Sequence, residues 1–214
     1  MDEDLSIINN NTRNEKIKNF LFKYKKTIIS ICIVLFLIII SFYSVQIYKD
    51  SHRKLISDKY NEAIIKYENK NEINIVITMR EIIEERDSAY SPLALYFLID
   101  NNLINNNKET NELFDILIEK TSLDDEIKNL IIYKKALYNA DLKDENDLLD
   151  ILKPVINSNS VWKSHALYLM GEFFYSRNEK QKAKEFFNQV VNTDNANQNI
   201  FNEARKRLNR DLSE

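Results

Sequence analysis

"WKSHALYLMGEFFYSRNEKQKAKEFFNQVV", residues 162–191, holds the only glycine in a chain of 214 residues. Everything around Gly171 reads as helix, and a glycine inside a helix costs about 1 kcal/mol relative to alanine. The composition makes that glycine stranger still. A chain with one Gly cannot write a phosphate-cradling loop, a strained nucleophile elbow or a G-x-G-x-x-G crossing. Its two histidines, His52 and His165, and its single Cys32 leave no H-E-x-x-H, no C-x-x-C and no Cys/His zinc quartet. Paired carboxylates remain, but the common catalytic constellations are missing, so the expectation is a binding or scaffolding protein, not an enzyme, with no cofactor. Two prolines accompany the one glycine, and Leu, Ile, Lys, Glu, Asn and Tyr abound. That lacks the punctuation of strand-and-turn architectures and predicts an all-α fold. The asparagine runs at 9–11 and 101–107 read as loops or caps.

Working outward from Gly171, tyrosines recur in similar helical contexts at Tyr60, Tyr96, Tyr133 and Tyr168, spaced 36, 37 and 35 residues. A second ladder agrees: "LFDIL" at 113–117, "LLDIL" at 148–152 and "FFNQV" at 186–190. A period near 35 is that of a helical repeat. With Ser164 as position 1 of a tetratricopeptide repeat, Leu167, Met170, Gly171, Phe174, Ala183, Phe187 and Val190 occupy positions 4, 7, 8, 11, 20, 24 and 27. Those are the large and small packing positions of that repeat. The small residue at position 8 lets the first helix approach the second, where Ala183 faces it. In the other units position 8 is Ala63, Ile99 and Ala136, so the second unit's helices are expected to sit further apart. The reading gives helix pairs at 55–89, 91–122, 126–158 and 162–193. A closing helix at 198–212 follows, whose outer face of Arg205, Lys206, Arg207, Arg210 and Asp211 suits the polar cap of an open solenoid.

Upstream, "TIISICIVLFLIIISFYSVQIY", residues 27–48, is a run of 22 residues without a charge. As a helix it is about 33 Å long, enough to cross a hydrocarbon core of about 30 Å. It is apolar all round, with Tyr24, Tyr43 and Tyr48 at the interfaces. It is too long for a cleaved signal peptide and lacks an A-x-A-like site, so it reads as a signal anchor. Arg13, Lys16, Lys18, Lys23, Lys25 and Lys26 precede it; Lys49, Arg53, Lys54 and Lys59 follow. The balance favours a cytoplasmic N-terminus. In the tail, 1–26, Ile17, Phe20, Leu21 and Tyr24 form an amphipathic basic turn. The soluble part, 49–214, holds 24 Lys and Arg against 29 Asp and Glu, a formal charge of −5. It has no basic face for nucleic acid and no cysteine to mispair in an oxidising compartment.

A short basic tail, one span and a small acidic repeat domain together resemble the ancillary subunit family of the bacterial SecYEG translocon. The resemblance covers most of the chain in layout. It is strongest over "WKSHALYLMGEFFYSRNEKQKAKEFF", and "YSPLALYFLID" at 90–100 looks like the family's second unit. The chain departs in being poorer in Ala and Gly and richer in Asn and Ile. The resemblance implies an inner-membrane anchor with the repeat domain in the periplasm. It also implies association with the translocon and a membrane-anchored prolyl isomerase-type chaperone, and handling of unfolded secretory segments.

The expected function is therefore a membrane-anchored protein-interaction adaptor with chaperone-like character. In tetratricopeptide stacks, positions 2, 5, 9 and 12 of the first helix line the groove. In the last unit these are His165, Tyr168, Glu172 and Tyr175, and Tyr60, Tyr96 and Tyr133 join at position 5. These tyrosines either offer an apolar ring and a hydrogen-bonding tip to a client or pack between neighbouring first helices. The alternative function is a structural scaffold for envelope or division machinery without client binding. A hydrolytic or metal site on His165 and Glu172 has too few ligands. No small-molecule substrate is expected.

Overall fold

The computed structural model describes residues 18–68 and 73–213. Among these residues every regular element is helical. Arg13, Lys16 and Ile17 of the basic tail and Asn9–Asn11 lie outside the described residues. Residues 18–23 are helical, and Tyr24 closes that segment by donating its N–H to the Phe20 carbonyl at 3.0 Å. Helix α1 then runs from Lys25 to Glu68. It contains a stretch long and apolar enough to cross a membrane. From Ile29 to Tyr48 its large apolar side chains with described placement are 45–73% exposed, as lipid-facing residues on every side of a span would be.

The chain divides into two compact units at Leu55/Ile56. The second contains α1 from Ile56, α2 (Ile73–Glu84), α3 (Tyr90–Asp100), α4 (Asn107–Asp115), α5 (Asp125–Asn139), α6 (Glu145–Ile156), α7 (Lys163–Ser176), α8 (Lys180–Val191) and α9 (Gln198–Lys206). Helix α4 widens into a π turn over Ile116–Lys120, and α9 does the same over Arg207–Asp211. From Ile73 onward the helices begin and end near the expected bounds, but α1 runs unbroken through residue 55. In this half α2 packs chiefly on α3, across the expected boundary between 55–89 and 91–122, rather than α1 on α2 or α3 on α4.

The period near 35 reappears as physical bonds. Tyr90 donates its hydroxyl to Ser57 Oγ at 2.7 Å across 33 residues. Ser160 Oγ donates to Glu126 Oε2 at 2.7 Å across 34, and the Asn197 N–H to Ser164 Oγ at 3.2 Å across 33. The last two join the beginning of one first helix to the beginning of the next, and the first joins the beginning of α3 to the interior of the long helix α1. The second helices α6 and α8 are joined likewise by Lys182 and Glu145, 2.7 Å apart. Below these stitches lie two hydrophobic clusters. Helix α5 supplies Ile131 to one and Ile132 and Ala136 to the other, and Ile118 packs on both. Between α4 and α5 the buried Asn139 amide donates to Asn111 Oδ1 and the Lys135 carbonyl, each at 2.8 Å, and accepts from Asn111 Nδ2. Losing either partner would leave a buried amide unpaired, at about 1–3 kcal/mol.

With glycine absent, asparagine ends the helices. Among the described residues Asn102, Asn178 and Asn195 take positive φ values of 52°, 63° and 57°, and Arg86 takes 58°. After α3 the Leu103 N–H reaches the Leu98 carbonyl; after α7 the Glu179 N–H reaches that of Phe174. This is the six-to-one closure usually built on a left-handed glycine, with asparagine the next-best residue for that conformation. The 101–107 run therefore does two jobs: Asn101 and Asn102 stop α3, and Asn106 accepts the N–H groups of Lys108 and Glu109 to start α4. Asp124, Asp144 and Asn197 begin α5, α6 and α9 in the same way.

Gly171 answers its question at the α7–α8 contact, the closest pairing in the unit. A Cβ placed there would lie 2.5 Å, 2.7 Å and 2.9 Å from ring atoms of Phe187, a side chain that is 0% exposed. The residue facing Gly171 is thus the Phe187 ring, not the Ala183 methyl of the sequence reading; Ala183 is buried beside it. The α5 and α6 pair, with Ala136, also packs closely, whereas α3 and α4 come near at few points, as the larger Ile99 led one to expect. The described parts of α1 and α2 come near at few points too, despite Ala63, so a small residue at position 8 permits close approach without compelling it. Helix propensity alone would make Gly171→Ala stabilising by about 1 kcal/mol. Overpacking against Phe187 reverses the sign, and we expect a net loss of about 1–3 kcal/mol, measured by chemical denaturation, that Phe187→Leu in the same chain partly restores. A Gly171→Ala variant more stable than the parent would mean that the ring does not rest on Gly171.

Candidate protein-interaction face

The four ladder tyrosines lie on the first helices of their pairs, and all four are half-buried. None stands free. Tyr60, Tyr96 and Tyr133 are covered from the side of the next first helix, and Tyr168 from α8. Tyr60 meets the ring of Tyr90 at 5.7 Å, and Tyr67 further along α1 meets Phe97 edge-on at 5.1 Å. The Lys134 ammonium lies 5.2 Å from the centre of the Tyr96 ring. Tyr133 stacks on Trp162 at 5.9 Å and meets His165 edge-on at 5.7 Å, with Trp162 and His165 themselves 5.0 Å apart. Tyr168 packs on Phe187 at 5.4 Å, and its hydroxyl lies within the electrostatic reach of Glu172 and Arg207. Aromatic pairs of this kind contribute about 0.5–1.5 kcal/mol each beyond the area they bury.

Of the two possibilities left open, packing between successive first helices is what Tyr60, Tyr96 and Tyr133 show. Each of the four rings keeps some exposure, but the Tyr96 hydroxyl is buried and without a hydrogen-bond partner. Two leucines on the same helices, Leu93 three residues before Tyr96 and Leu137 four after Tyr133, are 46% and 49% exposed. By helical spacing they share the tyrosines' face, giving it apolar area beyond the rings.

The last unit is organised differently. Arg207 donates through Nε and Nη2 to the two oxygens of Glu172 at 2.7 and 2.8 Å. Its Nη1 reaches Asp211 Oδ2 at 3.0 Å, and the guanidinium lies 4.5 Å from the Tyr175 ring centre. The closing helix was expected to show Arg205, Lys206, Arg207, Arg210 and Asp211 on its outer face. Arg205, Lys206 and Arg210 are exposed, but Arg207 and Asp211 turn inwards. Helical spacing is the reason: Arg207 and Asp211 follow Ile200 and Ala204 by seven residues each and so share their inner stripe. Glu172 and Tyr175, candidates for client contact, are already occupied by the chain itself.

Burial dominates the titration of this face. The Tyr96 hydroxyl is pushed up to about 12 by burial and then by the charge of Asp100. Tyr168 is pushed up to about 12 by burial and then by Glu172. Burial also raises Tyr60 and Tyr133. It lowers His165, against a smaller opposing effect of the Val161 carbonyl. Hydrogen bonds from Arg210 and then Arg207 hold the Asp211 carboxyl down to about 2. Among the described residues no group of three or more His, Cys, Asp and Glu is placed to hold a metal ion; His165 sits in its aromatic trio and Glu172 on Arg207. Neither the Arg207 constellation nor the Trp162 contact was read from the sequence. The signal available was the spacing of 35 between Glu172 and Arg207, the same as the tyrosine ladder.

No family model, curated protein or solved structure matches this chain.

A tyrosine pKa raised on folding contributes stability that is complete below the ordinary value of about 10 and is lost as pH climbs through the folded value. For Tyr96 and Tyr168 that window runs from about 10 to about 12. In an ultraviolet titration of phenolate we expect these two of the 11 tyrosines to ionise late, together with the loss of helix seen by circular dichroism. Tyr96→Phe and Tyr168→Phe should each remove late amplitude. Ionisation of all tyrosines near pH 10 with the helices intact would contradict the packing described.

Proposed function

We propose that the protein is a membrane-anchored adaptor whose tetratricopeptide-like solenoid holds segments of other proteins, serving as an ancillary or chaperone-like subunit at the Sec translocon. The observation that supports this most is the repeated face: successive first helices each carry a partly buried tyrosine, and Leu93 and Leu137 add exposed apolar area between them. Extended or unfolded polypeptide is the ligand such a face suits, since rings and leucines take side chains of many shapes while tyrosine tips take backbone. The partners proposed are the translocon, a membrane-anchored periplasmic chaperone of the prolyl isomerase type, and unfolded client segments. The proposed setting is the bacterial inner membrane, spanned by residues 27–48, with the N-terminus cytoplasmic and the helical unit periplasmic.

The second reading is a structural scaffold that assembles envelope or division machinery without holding clients. It draws on the seams, where each tyrosine has a neighbour within its own chain and so has a structural use without any partner.

The test is copurification in mild detergent of the full chain against the chain lacking residues 1–48, with crosslinking in living cells. The adaptor reading expects translocon and chaperone components with the full chain and their loss without the anchor. Cell-wall enzymes in their place would favour the scaffold. Protease added to spheroplasts should digest residues 49–214; an intact helical unit beside a digested periplasmic control would refute the orientation.

A further inference from the structure

The C-terminal turn, residues 207–212, lies on the two polar positions that the groove reading gives to a partner in the last unit. Glu172 receives two parallel N–H bonds from one guanidinium, at 2.7 and 2.8 Å. The fork geometry of arginine supplies both and a lysine ammonium cannot. The same guanidinium lies 4.5 Å from the Tyr175 ring centre, within cation–π range.

Both apolar and polar contacts hold the turn there, Leu212 and Leu208 packing on the hydrophobic cluster. Leu212 is its one buried side chain and Leu208 is half-buried, while Asn209 and Arg210 are exposed. Asp211 lies 3.0 Å from Arg207 and 2.7 Å from Arg210. Arg207 can therefore leave Glu172 and remain paired with Asp211. An incoming guanidinium would take Glu172 at the same moment, and no charge would be stranded, which is the usual obstacle to breaking a part-buried ion pair. The arrangement is suited to exchange.

We propose that this turn is a self-ligand: Arg207 closes the last stretch of the tyrosine face, and an arginine-bearing extended segment of a partner binds there by displacing it. The proposal rests on the adaptor reading for the identity of that partner, though its test needs none. A tethered occupant acts at an effective concentration on the order of millimolar, so it lowers the apparent affinity for a free segment by the fraction of molecules in which the turn is lifted.

The experiment measures fluorescence anisotropy of a labelled synthetic peptide, residues 201–213 of this chain, with the full-length protein in mild detergent. Arg207→Ala is expected to bind the peptide at least about tenfold more tightly than the parent. That gain should vanish in the Arg207→Ala, Glu172→Gln double variant, and for a peptide with alanine in place of its own arginine 207. Equal affinity of parent and Arg207→Ala, or binding that ignores Glu172, overturns the proposal. If Arg207→Ala does not fold by circular dichroism, Arg207→Lys keeps the charge and removes the fork. It too should bind more tightly than the parent, and failure to do so overturns the proposal. Such a failure leaves the adaptor reading intact. Absence of translocon and chaperone partners with parent and Arg207→Ala alike would sink the adaptor reading and leave the peptide result standing.

Discussion

The stacking of one first helix on the next through a tyrosine ring is the interaction on which the helical unit depends. A pair of helices of 9–15 residues cannot bury its apolar stripes alone, and isolated helices of that length are marginal in water. Stability comes from neighbours. Tyr60 on Tyr90, Tyr96 under Lys134 and Tyr133 on Trp162 and His165 are the places where neighbours meet. The polar bonds at the helix beginnings, Tyr90 to Ser57, Ser160 to Glu126 and Asn197 to Ser164, fix the register that brings those rings together. Register and ring contact share one spacing along the chain, and the tyrosine ladder could be seen in the sequence for that reason.

A near absence of glycine shapes the rest. Left-handed helix ends, elsewhere glycine's work, fall to Asn102 and Asn178, and a left-handed loop position to Asn195, so part of the asparagine content reflects backbone geometry at identifiable positions. The single glycine is kept where no side chain can stand, beneath Phe187. Both facts follow from the same property, the missing Cβ, used once for space and replaced elsewhere for conformation.

The sequence made the helices legible because their apolar stripes, prolines and asparagines are local features, and a helix long and apolar enough to cross a membrane announces itself by composition alone. It made Gly171 legible as a packing residue but assigned it to the wrong partner, since Ala183 and Phe187 both lie on the facing stripe and only geometry tells which one arrives. The inward turn of Arg207 was missed although it stands seven residues after Ile200 and three after Ala204, on the helix's inner stripe; its charge led the sequence reading to place it with its exposed neighbours. The tyrosines could not be divided between seam and groove from spacing alone. A side chain on a shared face can serve a neighbouring helix and solvent together, and these do.

The proposed adaptor would tie recognition to stability, since the rings it would offer a partner are the rings that join its own helices. The most direct measurement of that claim is a double-mutant cycle between Tyr133 and Trp162, with each changed to Leu singly and together and unfolding followed by urea denaturation of the full-length chain in mild detergent. The stacked pair across the α5–α7 seam predicts a coupling energy of about 0.5–1.5 kcal/mol. Effects that simply add, within about 0.3 kcal/mol, would show that the first helices are not joined through their tyrosines and would contradict the account.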